Sequence, residues 1–285
     1  MTLLKKRHLV GILIAITVAN FFLWWAVYNE EKPGKLVVAF LDIGQGDAIY
    51  IESPTHHQLL IDAGPPHKVL SELGAVMRFY DRTIDVIMVT NPDQDHIGGF
   101  MDVLNLYKVS EVIEPGTHSS SATYAELEKN IDQKHIGKID GKRGTIIHLG
   151  GGADLHILFP DQDVSSWATN DGSIIAKLIY GSTSVMFTGD APSKIEEYTI
   201  GLDPGKMEST ILKAGHHGSR TSASESFVKA IDPRYAIISA GIRNKYGHPH
   251  KETIDLFQKL KIPVLGTYRE GRIIFVSDSK EFIRK

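Results

Sequence analysis

The first strong pattern in the chain is an unbroken apolar run. From Leu9 to Tyr28, the twenty residues LVGILIAITVANFFLWWAVY carry no charge, with Thr17 and Asn20 as polar interruptions. A helix of that length crosses a hydrocarbon layer of about 30 Å. Lys5, Lys6 and Arg7 precede the run, Glu30 and Glu31 follow it, and Trp24, Trp25 and Tyr28 gather at its far end. The positive flank predicts a cytoplasmic N-terminus over residues 1–8, an uncleaved single-pass anchor in the cell membrane over 9–28, and an extracellular remainder. A cleaved signal peptide is the rival reading. Its apolar core would be shorter and would end on small residues rather than bulky aromatics.

After a short linker, NEEKPGK over residues 29–35, the period changes. LVVAFLDI, DAIYIES, HQLLIDAG and IDVIMVT are short β-branched or alternating runs bounded by Gly, Asp or Pro, so they predict strands, and KVLSELGAVMRFYD (68–81) has helical spacing. The second half repeats the pattern. TIIHLG, ADLHILFP, SIIAKLIYG, TSVMFTGD, ESTILKAG, YAIISAG and IPVLGTY read as strands, APSKIEEYTIGL and KETIDLFQKLK as helices, and RIIFVSD as the last strand. Between the halves, residues 119–143 look like a polar helical excursion. Two halves of sheet plus helices predict an α/β domain over residues 36–285, with helices outside two packed sheets in four layers.

Composition narrows the chemistry. The 285 residues include no Cys, which excludes disulfides, thiol nucleophiles and Cys-bound zinc. The chain has 31 Lys and Arg against 34 Asp and Glu. Three of the basic residues precede Leu9, leaving 28 against 34 outside, a net of −6. A broad basic face for coating nucleic acid is therefore not expected, and a polyanionic substrate needs a locally positive groove.

Candidate ligands fall at successive strand ends. Asp62 closes LLIDAG; Asp93, Asp95 and His96 follow VIMVT; Asp190 closes VMFTGD; His216 and His217 follow STILKAG; His248 and His250 follow YAIISAG. A single Asp there serves equally well as a turn former or helix cap. Five such ends in a row point to one shared rim. His56, His57, His67, His118, His135, His148 and His156 lie in polar turns, helices or strands and are read as surface or structural residues.

FLDIGQGDAIYI, LLIDAG, VTNPDQDHIGG, NDGSIIAKLIYG, VMFTGD, LKAGHHGSRTSAS and SAGIRNKYGHPH, in this order, resemble the metallo-β-lactamase-fold domain of the ComEC-type competence proteins, the DNA-uptake channels of bacteria. The resemblance covers about Lys35 to Asp278. It implies an αβ/βα sandwich hydrolase with two divalent metal ions and, for the competence members, a nuclease that degrades DNA outside the membrane. A chain with one span is not expected to form the channel; a separate channel protein is the expected partner.

Carried over by residue, the resemblance gives Asp95, His96 and His248 to one ion and Asp190 to both. Asp93 and Asn91 serve the other ion, and His216 and His217 complete its shell or meet the substrate phosphate, with His217 preferred as ligand. Asp42, Asp47 and Asp62 are expected beneath the site, orienting ligands. Asn170 and Ser173 are expected to line it. Arg220, Arg243 and Lys245 would ring it with positive charge and clamp a phosphodiester.

Two ions sharing a carboxylate can activate a bridging water for in-line attack on phosphorus. Asp95, Asp190, His216 and His217 are then the expected catalytic residues. Asn91 and Asp93 replace the imidazoles of a zinc-type site with oxygen donors, which favours Mn²⁺, with Zn²⁺ or Mg²⁺ as alternatives. Three functions stay open: a nuclease acting on single-stranded DNA, an esterase of another phosphodiester such as phosphorylcholine or a cell-wall polymer, and a non-catalytic binding module.

Overall fold

The computed structural model describes residues 3–30 and 34–285, with side chains at 7–25 and 34–285. Residues 31–33, including Glu31 of the expected linker, lie outside the described residues, as do the side chains of Lys5, Lys6, Tyr28 and Glu30. The chain forms two compact units that divide between Gly34 and Lys35.

The first unit is one helix, α1 (Leu3–Glu30). Its stretch Arg7–Trp25 is long and apolar enough to cross a membrane. Leu13, Phe21 and Trp24 stand exposed, so the apolar surface wraps the helix instead of forming the single stripe of a soluble amphipathic helix.

The second unit is built on two sheets. The first contains β1 (Leu36–Phe40), β2 (Ile49–Glu52), β3 (Gln58–Ile61), β4 (Thr83–Met88), β5 (Lys108–Glu114) and β6 (Gly137–Asp140). The second contains β7 (Ile146–Gly150), β8 (Ala153–Phe159), β9 (Ile175–Tyr180), β10 (Thr183–Phe187), β11 (Ile211–Lys213), β12 (Tyr235–Ile238) and β13 (Val264–Gly266). The chain then returns to the first sheet with β14 (Ile273–Ser277) and β15 (Phe282–Arg284). Strand order is β15-β14-β1-β2-β3-β4-β5-β6 in the first sheet and β13-β12-β11-β10-β9-β8-β7 in the second. β3 to β6 run parallel to one another, and so do β10 to β13.

Alternation along the strands sorts side chains into three apolar layers. Leu59 and Ile61 of β3 face the second sheet, where Phe40, Phe275, Leu155 and Phe187 fill the central core. Leu60 points the other way, beneath α2 (Val69–Val76), α4 (Phe100–Leu106) and α5 (Ala122–Gln133), together with Leu73, Phe100 and Leu127; a short turn of helix, α3 (Gln94–Ile97), precedes α4. On the outer face of the second sheet, α6 (Ser193–Leu202), α7 (Glu225–Ile231) and α8 (Lys251–Lys259) bury Ile195, Phe227 and Phe257 against Met186, Leu212 and Ile238. This is the expected four-layer sandwich. A strand covered on both faces reads as a continuous apolar run, which is why QLLI shows no polar alternation.

Local differences have local causes. The helix expected over 68–81 stops at Val76, because Met77 is extended (φ −85°, ψ 159°). The polar excursion is α5, begun by Ser121, whose hydroxyl accepts the Tyr124 N–H at 3.1 Å, followed by the edge strand β6. β6 is largely exposed and pairs with β5, so no buried face marked it in the sequence. RIIFVSD is β14 and is not the last strand; the short edge strand β15 follows.

Candidate metal centre

In an open parallel sheet, sites form beyond the carboxyl ends of the strands. Here β3, β4, β10, β11 and β12 deliver Asp62, residues 91–96, Asp190, His216–His217 and His248 to one rim. Asp62 takes a left-handed backbone conformation (φ 55°) that turns its carboxylate under the next loop. Its Oδ1 accepts the Thr90 N–H at 2.8 Å, and its Oδ2 accepts the Thr90 hydroxyl at 2.5 Å and His96 Nδ1–H at 2.8 Å. That orients the His96 ring and leaves Nε2, fully buried, without a hydrogen-bond partner. Asp190 Oδ1, 3.2 Å away, is likewise buried and unpartnered.

His216 and His217 adopt consecutive left-handed conformations (φ 49° and 55°) between Gly215 and Gly218. Such strain persists where surroundings enforce it. Here the His216 N–H donates to Gly189 O at 3.0 Å and the Ser219 N–H to His216 O at 2.8 Å. The turn sends the two rings to different places. His217 is buried, with Nε2 3.3 Å from Asp95 Oδ2 and 3.7 Å from Asp190 Oδ1. His216 is partly open, with Nε2 3.6 Å from Asp190 Oδ2. His217 Nδ1 lies 3.2 Å from Asp47 Oδ1, and Lys213 Nζ sits 2.7 Å from the Asp47 carboxylate and donates to Ala214 O at 3.1 Å.

The charges are mutually dependent. Burial alone would push His96 and His217 toward neutrality; Asp190 with Asp62, and Asp190 with Asp47 and Asp95, overturn this. The His96 pKa lies well above its ordinary value and that of His217 rises to about 9. Asp190 is pulled far below the usual carboxylate range by both imidazoles, against its own burial. His248 moves the other way, to about 4, because it is desolvated and faces His217 and His216.

The structure gathers Asp95, His96 and His217 into one group whose donor atoms lie within 4.8 Å of one another. His217 thus joins the Asp95 side rather than the Asp93 side. Asp93, Asp95, Asp190, His216, His217, His248 and Asn170 line a polar cavity of about 170 Å³. Asp93 accepts the Thr169 hydroxyl at 3.1 Å, and burial raises its pKa. Asn91 is fully buried with both ends engaged: Nδ2 donates to Asn170 Oδ1 at 2.6 Å, and Oδ1 accepts the Asp93 N–H at 3.0 Å. Ser173 is buried with its hydroxyl unpartnered. Arg220, Arg243 and Lys245 are exposed, and Arg220 Nη1 lies 3.8 Å from Glu252.

One expectation is corrected. Asp42 does not support the site: it is exposed between buried Leu41 and Ile43, and its backbone N–H donates to Glu72 at 3.3 Å. It lies in the loop between β1 and β2, which leaves it in solvent while Asp47 turns in. The sequence reading also missed Lys213, Thr90 and Gln45. Gln45 lines the cavity, its Nε2 3.5 Å from His248 Nδ1 and its Oε1 accepting the Gly241 N–H at 3.3 Å. A lysine closing an otherwise apolar strand was the available signal for Lys213.

Buried imidazole nitrogens and carboxylate oxygens that converge without protein partners fit a divalent cation, since a ligating His is held by a carboxylate on its other nitrogen. Among known proteins, the chain is 30% identical to ComE operon protein 3 of Bacillus subtilis over 95% of its own length and 37% of that protein. It is 27% identical to competence protein ComA of Neisseria gonorrhoeae over 86% of its length and 33% of that protein. The chain therefore spans about a third of these relatives. CmlA, a diiron β-hydroxylase from Streptomyces venezuelae, shares the fold with a TM-score of 0.55 over 89% of this chain and 55% of that one, at 13% identity. The family model for the metallo-beta-lactamase superfamily matches residues 41–242, most of the two-sheet unit, and it is to this superfamily that the chain belongs.

Proposed function

We propose that this chain is a membrane-anchored, metal-dependent phosphodiesterase whose substrate is DNA. The observation that carries the reading is the meeting of unpartnered, buried His96 Nε2, His217 Nε2 and Asp190 Oδ1 beside a polar cavity lined by Asp93, Asp95, His216 and His248. Asp95, His96 and His217 would hold one divalent ion and Asp93 and His216 a second, with Asp190 shared; His248, expected at the first ion, is reassigned to the second because its ring stands 5.4 Å from that of His216 and 6.1 Å from that of His217. Two such ions would supply Lewis acidity and a water acidic enough to attack phosphorus near neutral pH. The protein's own groups do the rest. Asp62 and Asp47 hold the two buried imidazoles in place, and Arg220, Arg243 and Lys245 would offset phosphate charge.

A carboxylate at Asp93 in place of an imidazole supports Mn²⁺ over Zn²⁺ or Mg²⁺. Competence-named relatives support DNA as substrate and a separate uptake channel as partner. Lys5, Lys6 and Arg7, ahead of the apolar run, support a cytoplasmic N-terminus and an extracellular catalytic unit. The small cavity and the −6 balance favour a second reading, an esterase of a shorter phosphodiester such as phosphorylcholine or a cell-wall polymer. Full-length protein in detergent, supplied with Mn²⁺, Mg²⁺ or Zn²⁺, is to be given labelled single-stranded DNA and bis-p-nitrophenyl phosphate. Cleavage of both supports the nuclease, cleavage of the small ester alone the second reading, and silence toward both a non-catalytic binding module. Asp190→Ala must abolish whatever activity is found.

A further inference from the structure

The loop between β12 and α8 carries an aromatic ring at the wall of the metal cavity and an exposed isoleucine four positions before it. Ile242 is 80% exposed and Tyr246 50% exposed. Arg243 and Lys245 alternate with them, and Tyr246 lines the metal cavity. The loop is held rigid by one side chain. Asn244 Nδ2 donates to Gly241 O at 2.8 Å and to His248 O at 2.6 Å, while its Oδ1 accepts the N–H groups of Tyr246 at 3.1 Å and His248 at 2.9 Å. The Tyr246 ring stacks on His248, 5.7 Å between centroids at 22°, and Lys245 Nζ stands 5.0 Å from the same ring. The staple therefore fixes a half-exposed tyrosine ring at the wall of a charged cavity, with an exposed isoleucine four positions before it.

We propose that Ile242 and Tyr246 form a platform for an unpaired nucleobase of the substrate strand, next to the phosphodiester held at the metal centre. The inference rests on the phosphodiesterase reading and adds to it the recognition of single strands. An aromatic face interleaved with basic side chains is the pattern by which proteins bind single-stranded nucleic acid. Each stacked base contributes free energy whatever its identity, and the basic groups follow the backbone. A base over Tyr246 takes the place of the exposed Lys245 ammonium, which then meets the neighbouring phosphate. Bases paired inside a duplex cannot offer that face, so the platform selects single-stranded segments.

The test uses full-length protein in detergent with Mn²⁺ and compares, by anisotropy, a fluorescent single-stranded oligonucleotide with an abasic strand of equal length, both built with phosphorothioate linkages that resist cleavage so that binding is read alone. The wild type is expected to prefer the base-bearing strand by roughly fivefold to a hundredfold. Tyr246→Trp should keep that preference. Tyr246→Ala and Ile242→Ser should each bring the ratio toward one while binding of the abasic strand stays within about twofold. Melting temperatures equal to the wild type show that the loop variants fold. A wild-type ratio near one, or a Tyr246→Ala protein that keeps the full preference, overturns the platform. Parallel assays of bis-p-nitrophenyl phosphate with Mn²⁺ separate the two ideas. Cleavage with a ratio near one sinks the platform alone, and a clear ratio without cleavage of any phosphodiester sinks the catalytic reading and leaves the platform standing.

Discussion

Lys213 offers the sharpest test of how the site is built. Its ammonium is buried and 2.7 Å from the Asp47 carboxylate, which in turn lies 3.2 Å from His217 Nδ1. Lys213→Met keeps the volume and removes the charge, so Asp47 stays buried with the imidazoles of His217 and His96 as its remaining cationic neighbours. Breaking a buried ion pair on one side costs about 3–5 kcal/mol. In a unit of this size each kcal/mol shifts the melting temperature by about 2–4 °C, which predicts a loss of roughly 6–20 °C. Neutralising both partners, Asp47→Asn with Lys213→Met, should recover most of it, because no uncompensated charge remains. The pH dependence adds a sign. Asp47 is ordinarily held below the carboxylate range by Lys213 and His217 in spite of its burial. Without Lys213 its burial is less opposed, its folded-state pKa climbs, and the deficit should narrow as pH falls toward about 4 and the carboxyl takes up a proton. Circular-dichroism melts of full-length protein in detergent read all three variants. A single variant that melts within about 3 °C of the wild type, or a double variant no better than the single, would refute the account.

Three further outcomes follow from the same geometry. Asn91→His replaces a neutral amide with an imidazole beside Asp93, and competition binding should show the Zn²⁺ preference over Mn²⁺ rising roughly tenfold; an unchanged ratio counts against a metal at the Asp93 side. Gly46 has φ 128°, and a Cβ there would meet the Asp95 carbonyl oxygen, so Gly46→Ala should cost about 1–3 kcal/mol in chemical denaturation and weaken metal binding by shifting the Asp95 loop. Burial raises Glu196 to about 7 although it accepts the N–H groups of Ala223 at 2.9 Å and Ser224 at 3.0 Å. A raised folded pKa means stability that is fully present below about 4.5 and lost as pH rises through 7, about 3 kcal/mol in all. Glu196→Gln should flatten that slope between pH 5 and 8, and a slope that persists rules Glu196 out as its source.

Much of the fold was legible because each strand's burial is written in its own residues. LLI, VIM and VMF are continuous apolar runs because both faces are covered, and the period of α8 shows in Thr253 and Phe257. β6 and β15 were not legible in this way, since an exposed edge strand takes its conformation from its neighbour's unpaired backbone rather than from its own side chains. The end of the helix at Val76 escaped notice for a related reason. VMRFYD has helix-compatible residues, and what ends the helix is the extended backbone at Met77, with Phe79 left 82% exposed.

The metal-facing residues were legible for a different reason, and the limit of that reason explains the misses. A ligand is conspicuous because an imidazole or carboxylate beside glycine at a strand end has no packing purpose, and the parallel strands carry five such ends to one rim. The groups that hold the ligands are not conspicuous, because their partners are distant in the chain. Lys213 and Asp47 are 166 positions apart; the resemblance places Asp47 beneath the site, but Lys213 alone reads as an ordinary surface charge. Asp42 and Asp47 look interchangeable in DIGQGD until the loop between β1 and β2 turns one outward and the other in. Asn91 combines both cases. It stands where a ligand would, yet it ties the Asp93 backbone to Asn170, so its amide shapes the very loop that carries Asp93, Asp95 and His96. Changing it to His therefore alters two things at once, the donor set and the turn. Metal preference reports the first and the melting temperature of the metal-free protein reports the second, which is why the Asn91 variant has to be measured by both.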